Sequence, residues 1–309
     1  MRVLVTGAAG FIGSNLAIRL SADGHDVVAA DSFLSASWKN LVAFGGDVLT
    51  LRDHDDIASM RAMGKFDVVF HQAAITGVIG GDGKVIADQH RMLRNNVETF
   101  RAILDWAVEM RCRVVYASSC SIYGRGPSPM KETQPPDPLN EYAFSKLCME
   151  RLAARYAPRL AHPIIGLRYS NAYGPNEAHK GKLASMVYQL AVQMRAGRRP
   201  RIFTAGQQKR DFVYIDDVVQ ANLLAMKATE SGSYNVGAGR SWSFNELVAE
   251  LNRALGTELE PEYFDNPYGF TQDWTETDLT LAKAKLGYEA KFDLRAGIEA
   301  YVKSGKMGV

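Results

Sequence analysis

Met1-Arg2-Val3-Leu4-Val5-Thr6-Gly7-Ala8-Ala9-Gly10-Phe11-Ile12-Gly13 opens the chain, and its reading decides the fold. Residues 3–5 are a short apolar run rich in β-branched side chains, the signature of a buried strand. Three glycines follow at once, and residues 14–20 have the pattern of a helix. Glycine at these places permits a tight turn and lets backbone approach a pyrophosphate at the helix N-terminus. The spacing is Gly-x-x-Gly-x-x-Gly rather than the commoner Gly-x-Gly-x-x-Gly. A second strand at 26–30 ends at Asp31, where a carboxylate can accept hydrogen bonds from an adenosine ribose and repels a 2′-phosphate. Strand, glycines, helix, strand and terminal acid in this order predict a dinucleotide-binding unit.

The alternation continues. Further strands are expected at 48–51, 68–71, 114–117 and 164–167, with helices at 92–110 and 141–156 between them. This rhythm specifies an α/β fold, a doubly wound parallel sheet of the Rossmann type. Beyond Leu167 the pattern changes, and the stretches 168–175, 179–182 and 261–278 read as substrate-binding additions. We therefore divide the chain into a dinucleotide-binding domain, 1–167, and a smaller mixed α/β substrate domain, 168–309. Residues 209–230 are expected to return to the first, with a helix at 216–227. The proline-containing loop 126–138 reads either as a lid or as a stiff connection.

Composition narrows the function classes. The 309 residues are 47% hydrophobic and 23% charged, as in ordinary globular proteins, and suffice for a sizeable core. A formal charge of +2 offers no general attraction to nucleic acid or to an anionic membrane. No apolar run reaches the ~20 residues that span a bilayer. The N-terminus enters a strand directly, which leaves no room for a signal peptide. Cys112, Cys120 and Cys148 are odd in number and lack metal-type spacing; a cytoplasmic protein without a metal is expected. The helices at 92–110 and 141–156 carry apolar residues beyond one stripe, among them Val97, Trp106, Met110, Leu147 and Tyr156. That surplus points to helix packing between subunits of a homodimer; one well-buried chain is the other reading.

Candidate catalytic groups lie beyond the carboxyl ends of the strands, where open parallel sheets bind ligands. Tyr142 and Lys146 stand four apart in Asn140-Glu141-Tyr142-Ala143-Phe144-Ser145-Lys146, so a helix projects both from one face. An ammonium beside a phenol should lower the phenol's pKa and make Tyr142 a general base for alcohol oxidation. Ser119, at a strand end, is placed to hydrogen-bond the reacting oxygen and share its proton. His71, in His71-Gln72-Ala73-Ala74, reads as structural, and the small residues after it leave space for a cofactor.

These motifs, together with Asn96, Leu167-Arg168-Tyr169-Ser170-Asn171-Ala172-Tyr173-Gly174-Pro175 and Lys209-Arg210-Asp211-Phe212-Val213-Tyr214, resemble the extended short-chain dehydrogenase/reductase family over nearly the whole chain. The resemblance implies that Ser119, Tyr142 and Lys146 perform the chemistry, that Asn171 lies at a sugar-nucleotide site and that Arg210 binds its diphosphate. An arginine fork suits phosphate oxygens. The cofactor site is expected to comprise Gly7, Gly10, Phe11, Ile12, Gly13, Asp31, Ser32, Lys39, Leu51, Gln72, Ala73, Ala74, Asn96, Tyr142 and Lys146. Asp31 favours NAD, while Lys39 and Arg52 could offer a phosphate site for NADP.

Three further segments are similar to the heptose 6-epimerases of that family, which act on ADP-glyceromanno-heptose. They are the run from Tyr173 through His179-Lys180-Gly181 to Ser185, then Trp242-Ser243-Phe244-Asn245, and the stretch from Thr271-Gln272 to Thr277-Asp278-Leu279. The resemblance makes Lys180 a second acid/base group and puts His179 and Thr271 beside the substrate; a phosphate contact is the other reading of Lys180. Thr271 departs from the aromatic residue frequent there, and Gly206-Gln207-Gln208-Lys209 also resembles general sugar-nucleotide epimerases. Ser119-Cys120-Ser121 lacks the acid pair of the 4,6-dehydratases, which argues against dehydration. The expected activity is an NAD(P)-dependent epimerisation of a nucleotide-diphosphate sugar. The alternatives are a UDP-sugar 4-epimerase and a cofactor-sensing protein without turnover.

Overall fold

The computed structural model describes residues 1–53, 56–79, 85–86, 88–265 and 272–308. Seven strands form the central sheet: β1 (Arg2–Thr6), β2 (Asp26–Asp31), β3 (Asp47–Thr50), β4 (Val68–His71), β5 (Arg113–Ser119), β6 (Ile164–Tyr169) and β7 (Gly232–Val236). Their spatial order is β7-β6-β5-β4-β1-β2-β3, and every pairing is parallel. This is the expected Rossmann-type sheet. Its strand order reverses between β1 and β4, so the carboxyl ends of these two strands flank a natural crevice.

The sheet is buried on both faces, and the period of two shows which face each residue serves. Val3, Val5, Val27, Ala29, Val68, Phe70, Val115 and Ile165 point to one layer. Leu4, Val28, Ala30, Val69, Val114 and Ile164 point to the other. Helices α1 (Phe11–Ala22) and, later in the chain, Ile215–Ala225 cover the first face; α2 (Thr99–Met110) and α3 (Glu141–Tyr156) cover the second.

The helix expected over 92–110 is interrupted. A short helix, Gln89–Leu93, passes into one π turn, Arg94–Glu98, before α2 begins. The extra residue in that turn swings Asn95 and Asn96 inward, and both are buried. Most of the apolar surplus on these helices is consumed inside the chain: Phe100, Ile103, Leu104, Trp106, Leu147, Met149, Leu152 and Tyr156 are all buried. Trp106 meets the Phe66 ring edge-on at 5.9 Å. Phe144, on α3, remains 43% exposed.

The C-terminal half adds small sheets and the helices α4 (Met186–Arg195), α5 (Ile215–Ala225), α6 (Phe244–Leu255) and α7 (Leu294–Lys303). The strand Asn171–Tyr173 pairs in parallel with Phe212–Tyr214, and Lys209–Arg210 pairs antiparallel with Trp242–Ser243. Helix α4 begins at Met186, where the Ser185 hydroxyl caps it by accepting from Tyr188 N. Strand β7 was not foreseen; it pairs with β6 from Gly232↔Ile165 to Val236↔Tyr169. The loop 126–138 is stitched down: Met130 N donates to Glu276 O at 2.7 Å, Asp278 N donates to Met130 O at 2.9 Å, and Met130 is buried. No helix among the described residues is long and apolar enough to cross a membrane.

Candidate active site

A cleft of ≈ 690 Å³ lies beyond the carboxyl ends of β1, β4, β5 and β6. Its floor is the glycine turn. Gly7 has φ +67°, and a Cβ there would stand 2.6 Å from Ala73 N; one on Gly13 would stand 2.1 Å from the Gly7 carbonyl oxygen. The turn is therefore packed backbone-to-backbone against the segment after β4, which only glycine allows. It delivers the N-terminus of α1, with its free N–H groups, into the cleft. Asp31 lines the cleft at the end of β2. Its carboxylate accepts from Ala9 N at 2.9 Å and from Phe33 N at 2.8 Å, which fixes it beside the turn. Such a cradle, a glycine turn plus a fixed carboxylate, fits a dinucleotide whose adenosine ribose carries two free hydroxyls.

Gly10, Phe11, Ile12, Ser32, Leu51, Gln72, Ala73 and Ala74 also line the cleft. Gln72 is held from behind, accepting from Tyr169 OH at 3.0 Å and donating to Asn222 Oδ1 at 3.0 Å. Lys39 is exposed on the turn Trp38–Leu41 and does not belong to the described lining. Asn96 stands behind the wall. Its amide accepts from Ile75 N at 2.8 Å and donates to Ile75 O and to Ser145 Oγ, both at 3.0 Å. It thus ties α3 to the chain after β4.

Tyr142 and Lys146 enter the cleft together from α3, whose start is set by the Asn140 side chain accepting from Ala143 N at 2.8 Å. Ser119 lines the cleft at the end of β5. The Lys146 ammonium lies 5.7 Å from the centre of the Tyr142 ring and donates to Ala117 O at 2.8 Å. The expected lowering of the phenol's pKa does not occur in this form. Burial pushes Tyr142 up to about 12, against a hydrogen bond with Ser119 that pulls it down. Burial also holds Lys146 down to about 7, so at neutral pH it is only partly charged, and it is aimed at a carbonyl rather than at the phenol oxygen. Desolvation is the largest cause of both shifts. As found, Tyr142 is a proton donor, and to act as a base it needs Lys146 protonated.

His71 is neutral, its pKa pushed down to about 3 by burial and then by Lys146. Its Nδ1 lies 2.8 Å from Thr6 Oγ1, and its ring stacks on Phe100 at 5.4 Å, a structural role.

Asn171, His179, Lys180 and Arg210 line the other side of the same cleft. Thr271 lies outside the described residues. Asn171 donates to Asp211 O at 3.2 Å and to Thr275 Oγ1 at 3.4 Å. The Arg210 guanidinium donates back to Lys209 O at 2.8 Å and lies 5.9 Å from the centre of the Phe244 ring. Lys180 sits in the 3-10 turn Ala178–Leu183 with its ammonium 5.5 Å from the centre of the Phe11 ring. Burial lowers its pKa, opposed by Glu177.

Sequence reasoning missed three supports. Tyr169 and Phe244 close the walls of the cleft. Asp211, fully buried, accepts from Ala238 N, Gly239 N and Thr277 N and so joins three separate segments beneath Asn171. An aspartate directly after the arginine was the available signal, but its partners are remote in the chain.

Residues 3–237 match the NAD dependent epimerase/dehydratase family. The chain is 34% identical to an ADP-L-glycero-D-manno-heptose-6-epimerase of Alkalilimnicola ehrlichii, covering 97% of this chain and 96% of that protein. The structure of the Helicobacter pylori ADP-L-glycero-D-manno-heptose-6-epimerase superposes with a TM-score of 0.90 at 37% identity, covering 98% of this chain and 95% of that one. UDP-glucose 4-epimerase from Thermotoga maritima, solved with UDP-glucose, gives 0.88 at 30% identity over 98% of both chains. UDP-glucuronic acid 4-epimerase from Bacillus cereus, solved with NAD, gives 0.83 at 26%, covering 99% and 100%.

Proposed function

Because the chain belongs to the NAD dependent epimerase/dehydratase family, and is thereby a sugar-nucleotide epimerase with NAD as its cofactor, we propose that its substrate is an ADP-glycero-manno-heptose inverted at C6. One observation carries the choice of sugar. The loop with His179-Lys180-Gly181 enters the same cleft as Tyr142, so the cleft holds two proton-handling side chains on different elements. The likeness to the heptose 6-epimerases, along nearly the full length, supports the same reading over a UDP-sugar 4-epimerase.

In this reading Gly7, Gly10, Gly13 and Asp31 hold NAD, which when bound supplies the acceptor and donor of a hydride. Ser119 hydrogen-bonds the reacting oxygen and passes its proton to and from Tyr142. Lys146, protonated, favours the phenolate. Lys180, which burial makes easier to deprotonate, serves the oxygen after the ketone has turned in the cleft, so each face has its own proton carrier. Arg210 binds the diphosphate, and Asn171 and His179 hold the sugar end.

The same proposal includes a cytoplasmic protein, a functional division at 167/168 with 209–230 serving the first part, and a homodimer. The exposed Phe144 on α3 supports the dimer; light scattering of the purified protein tests it. Proton NMR of the protein with candidate sugar nucleotides tests the activity. A second epimer should appear from ADP-glycero-manno-heptose and not from UDP-glucose. Conversion of UDP-glucose alone would establish the 4-epimerase, and no turnover of any sugar nucleotide would leave a cofactor sensor.

A further inference from the structure

The loop that carries Lys180 is docked on the helix that begins at the glycine turn by side-chain hydrogen bonds of Asn176 and of Asn15. Asn176 is buried, with a left-handed φ of +74°, a conformation asparagine tolerates better than most residues. Its amide nitrogen donates to Ser14 Oγ on α1 at 3.0 Å. Its amide oxygen accepts from the Lys306 ammonium, next to the C-terminus, at 2.7 Å. Its carbonyl accepts from Asn40 Nδ2 at 3.1 Å and lies 3.0 Å from His179 Nδ1. Next to it, Asn15 of α1 donates to the Pro175 carbonyl at 2.9 Å.

Glu177 has a different role in the same loop. Its buried carboxylate accepts from Gly174 N and from Ser185 N, so it closes the loop on itself. Asn176 instead fastens the closed loop to α1. Four residues further on, the Lys180 ammonium rests over Phe11, the first residue of that helix. The joint and the ammonium thus share one platform, Phe11 to Asn15, which also delivers the N–H groups of the glycine turn.

We propose that Asn176 is a positioning residue for Lys180: it fixes the second proton carrier to the cofactor-binding helix, so that the two faces of the turning ketone meet carriers held in one frame. This rests on the acid/base reading of Lys180. Loss of the joint should spare the Tyr142 face and impair the Lys180 face, because a misplacement of about 1 Å can cost ~100-fold in rate.

The test uses enzyme loaded with reduced cofactor and a 6-ketone analogue of the sugar nucleotide, with the ratio of the two alcohol epimers as the readout. Asn176→Gly keeps the left-handed backbone and removes the amide. Ser14→Ala removes its acceptor and serves if the first variant does not fold. Both should retain NAD at wild-type occupancy, measured by mass spectrometry of released cofactor. Both should bias the epimer ratio by about tenfold or more towards the product formed by Lys180→Met in the same assay. If Lys180→Met gives one epimer while Asn176→Gly and Ser14→Ala keep the wild-type ratio, Asn176 is only structural and this inference fails alone. If both epimers fall equally in the Asn176 and Ser14 variants, the inference also fails. If Lys180→Met still gives both epimers, the acid/base reading falls, and the inference falls with it.

Discussion

Replacing Lys146 by methionine should abolish turnover and yet stabilise the protein, with a pH dependence that identifies the cause. The side chain is fully buried, and burial brings its pKa from 10.5 to about 7. A shift of that size corresponds to about 5 kcal/mol between the two protonation states. Below pH about 7 the native state carries the full cost of the buried charge. Between about 7 and 10.5 the unfolded lysine keeps its proton while the native one has released it, so the unfolded state binds more protons and wild-type stability rises with pH by up to ~1.4 kcal/mol per unit. Methionine has no such cost. It does leave the Ala117 carbonyl, which accepts from Lys146 at 2.8 Å, without its partner, a loss of about 1–3 kcal/mol. The variant should therefore be more stable than wild type by about 2–4 kcal/mol at pH about 6, and the gap should shrink by about 2 kcal/mol between pH about 7 and 9. Urea unfolding of the cofactor-free proteins at pH about 6, 7.5 and 9 measures this, and other titrating groups cancel in the difference. A gap that stays constant with pH, or a variant less stable at pH about 6, would refute the account of Lys146 as a buried, partly neutralised cation.

Tyr142→Phe removes only the phenolic oxygen and should lower kcat by ~10²–10⁴-fold while the purified protein keeps its NAD; a wild-type kcat on the true substrate excludes Tyr142 as the proton carrier. Gly7→Ala places a Cβ 2.6 Å from Ala73 N at φ +67°; mass spectrometry should find it stripped of NAD, and scanning calorimetry should give a Tm lower by several degrees. Glu150→Ala leaves the Arg168 guanidinium, which donates to Glu150 at 2.8 and 2.7 Å with both side chains about 10% exposed, without its carboxylate. Urea unfolding should show a loss of about 3–5 kcal/mol, and the double variant Glu150→Leu/Arg168→Met should recover part of it.

The start of the chain was legible because its constraints are local. Val3 to Val5 must be a strand buried on both faces, and Gly7 takes a backbone conformation closed to other residues, whatever follows. Tyr142 and Lys146 share a cleft wall because 3.6 residues per turn puts positions four apart on one face. The alternation of strands and helices was enough to place the strands through β6 in one parallel sheet.

What remained hidden depends on partners far away in sequence. Gly-Ser-Tyr-Asn-Val, β7, has no apolar run of its own and is a strand because β6 offers it an unpaired edge. The apolar surplus of the 92–110 and 141–156 segments could not be assigned to a core or to a subunit contact until the sheet was in place to cover it. The π turn at Arg94–Glu98 answers to Ile75 and Ser145, which Asn96 bridges. The protonation of the active-site pair was misread for the same reason. The spacing of Tyr142 and Lys146 promised attraction, but how far each is removed from water is set by β5, the segment after β4 and the π turn folding over them. Spacing along a helix determined which side chains meet; only the surrounding tertiary structure, by excluding solvent, decided what charge they carry when they do.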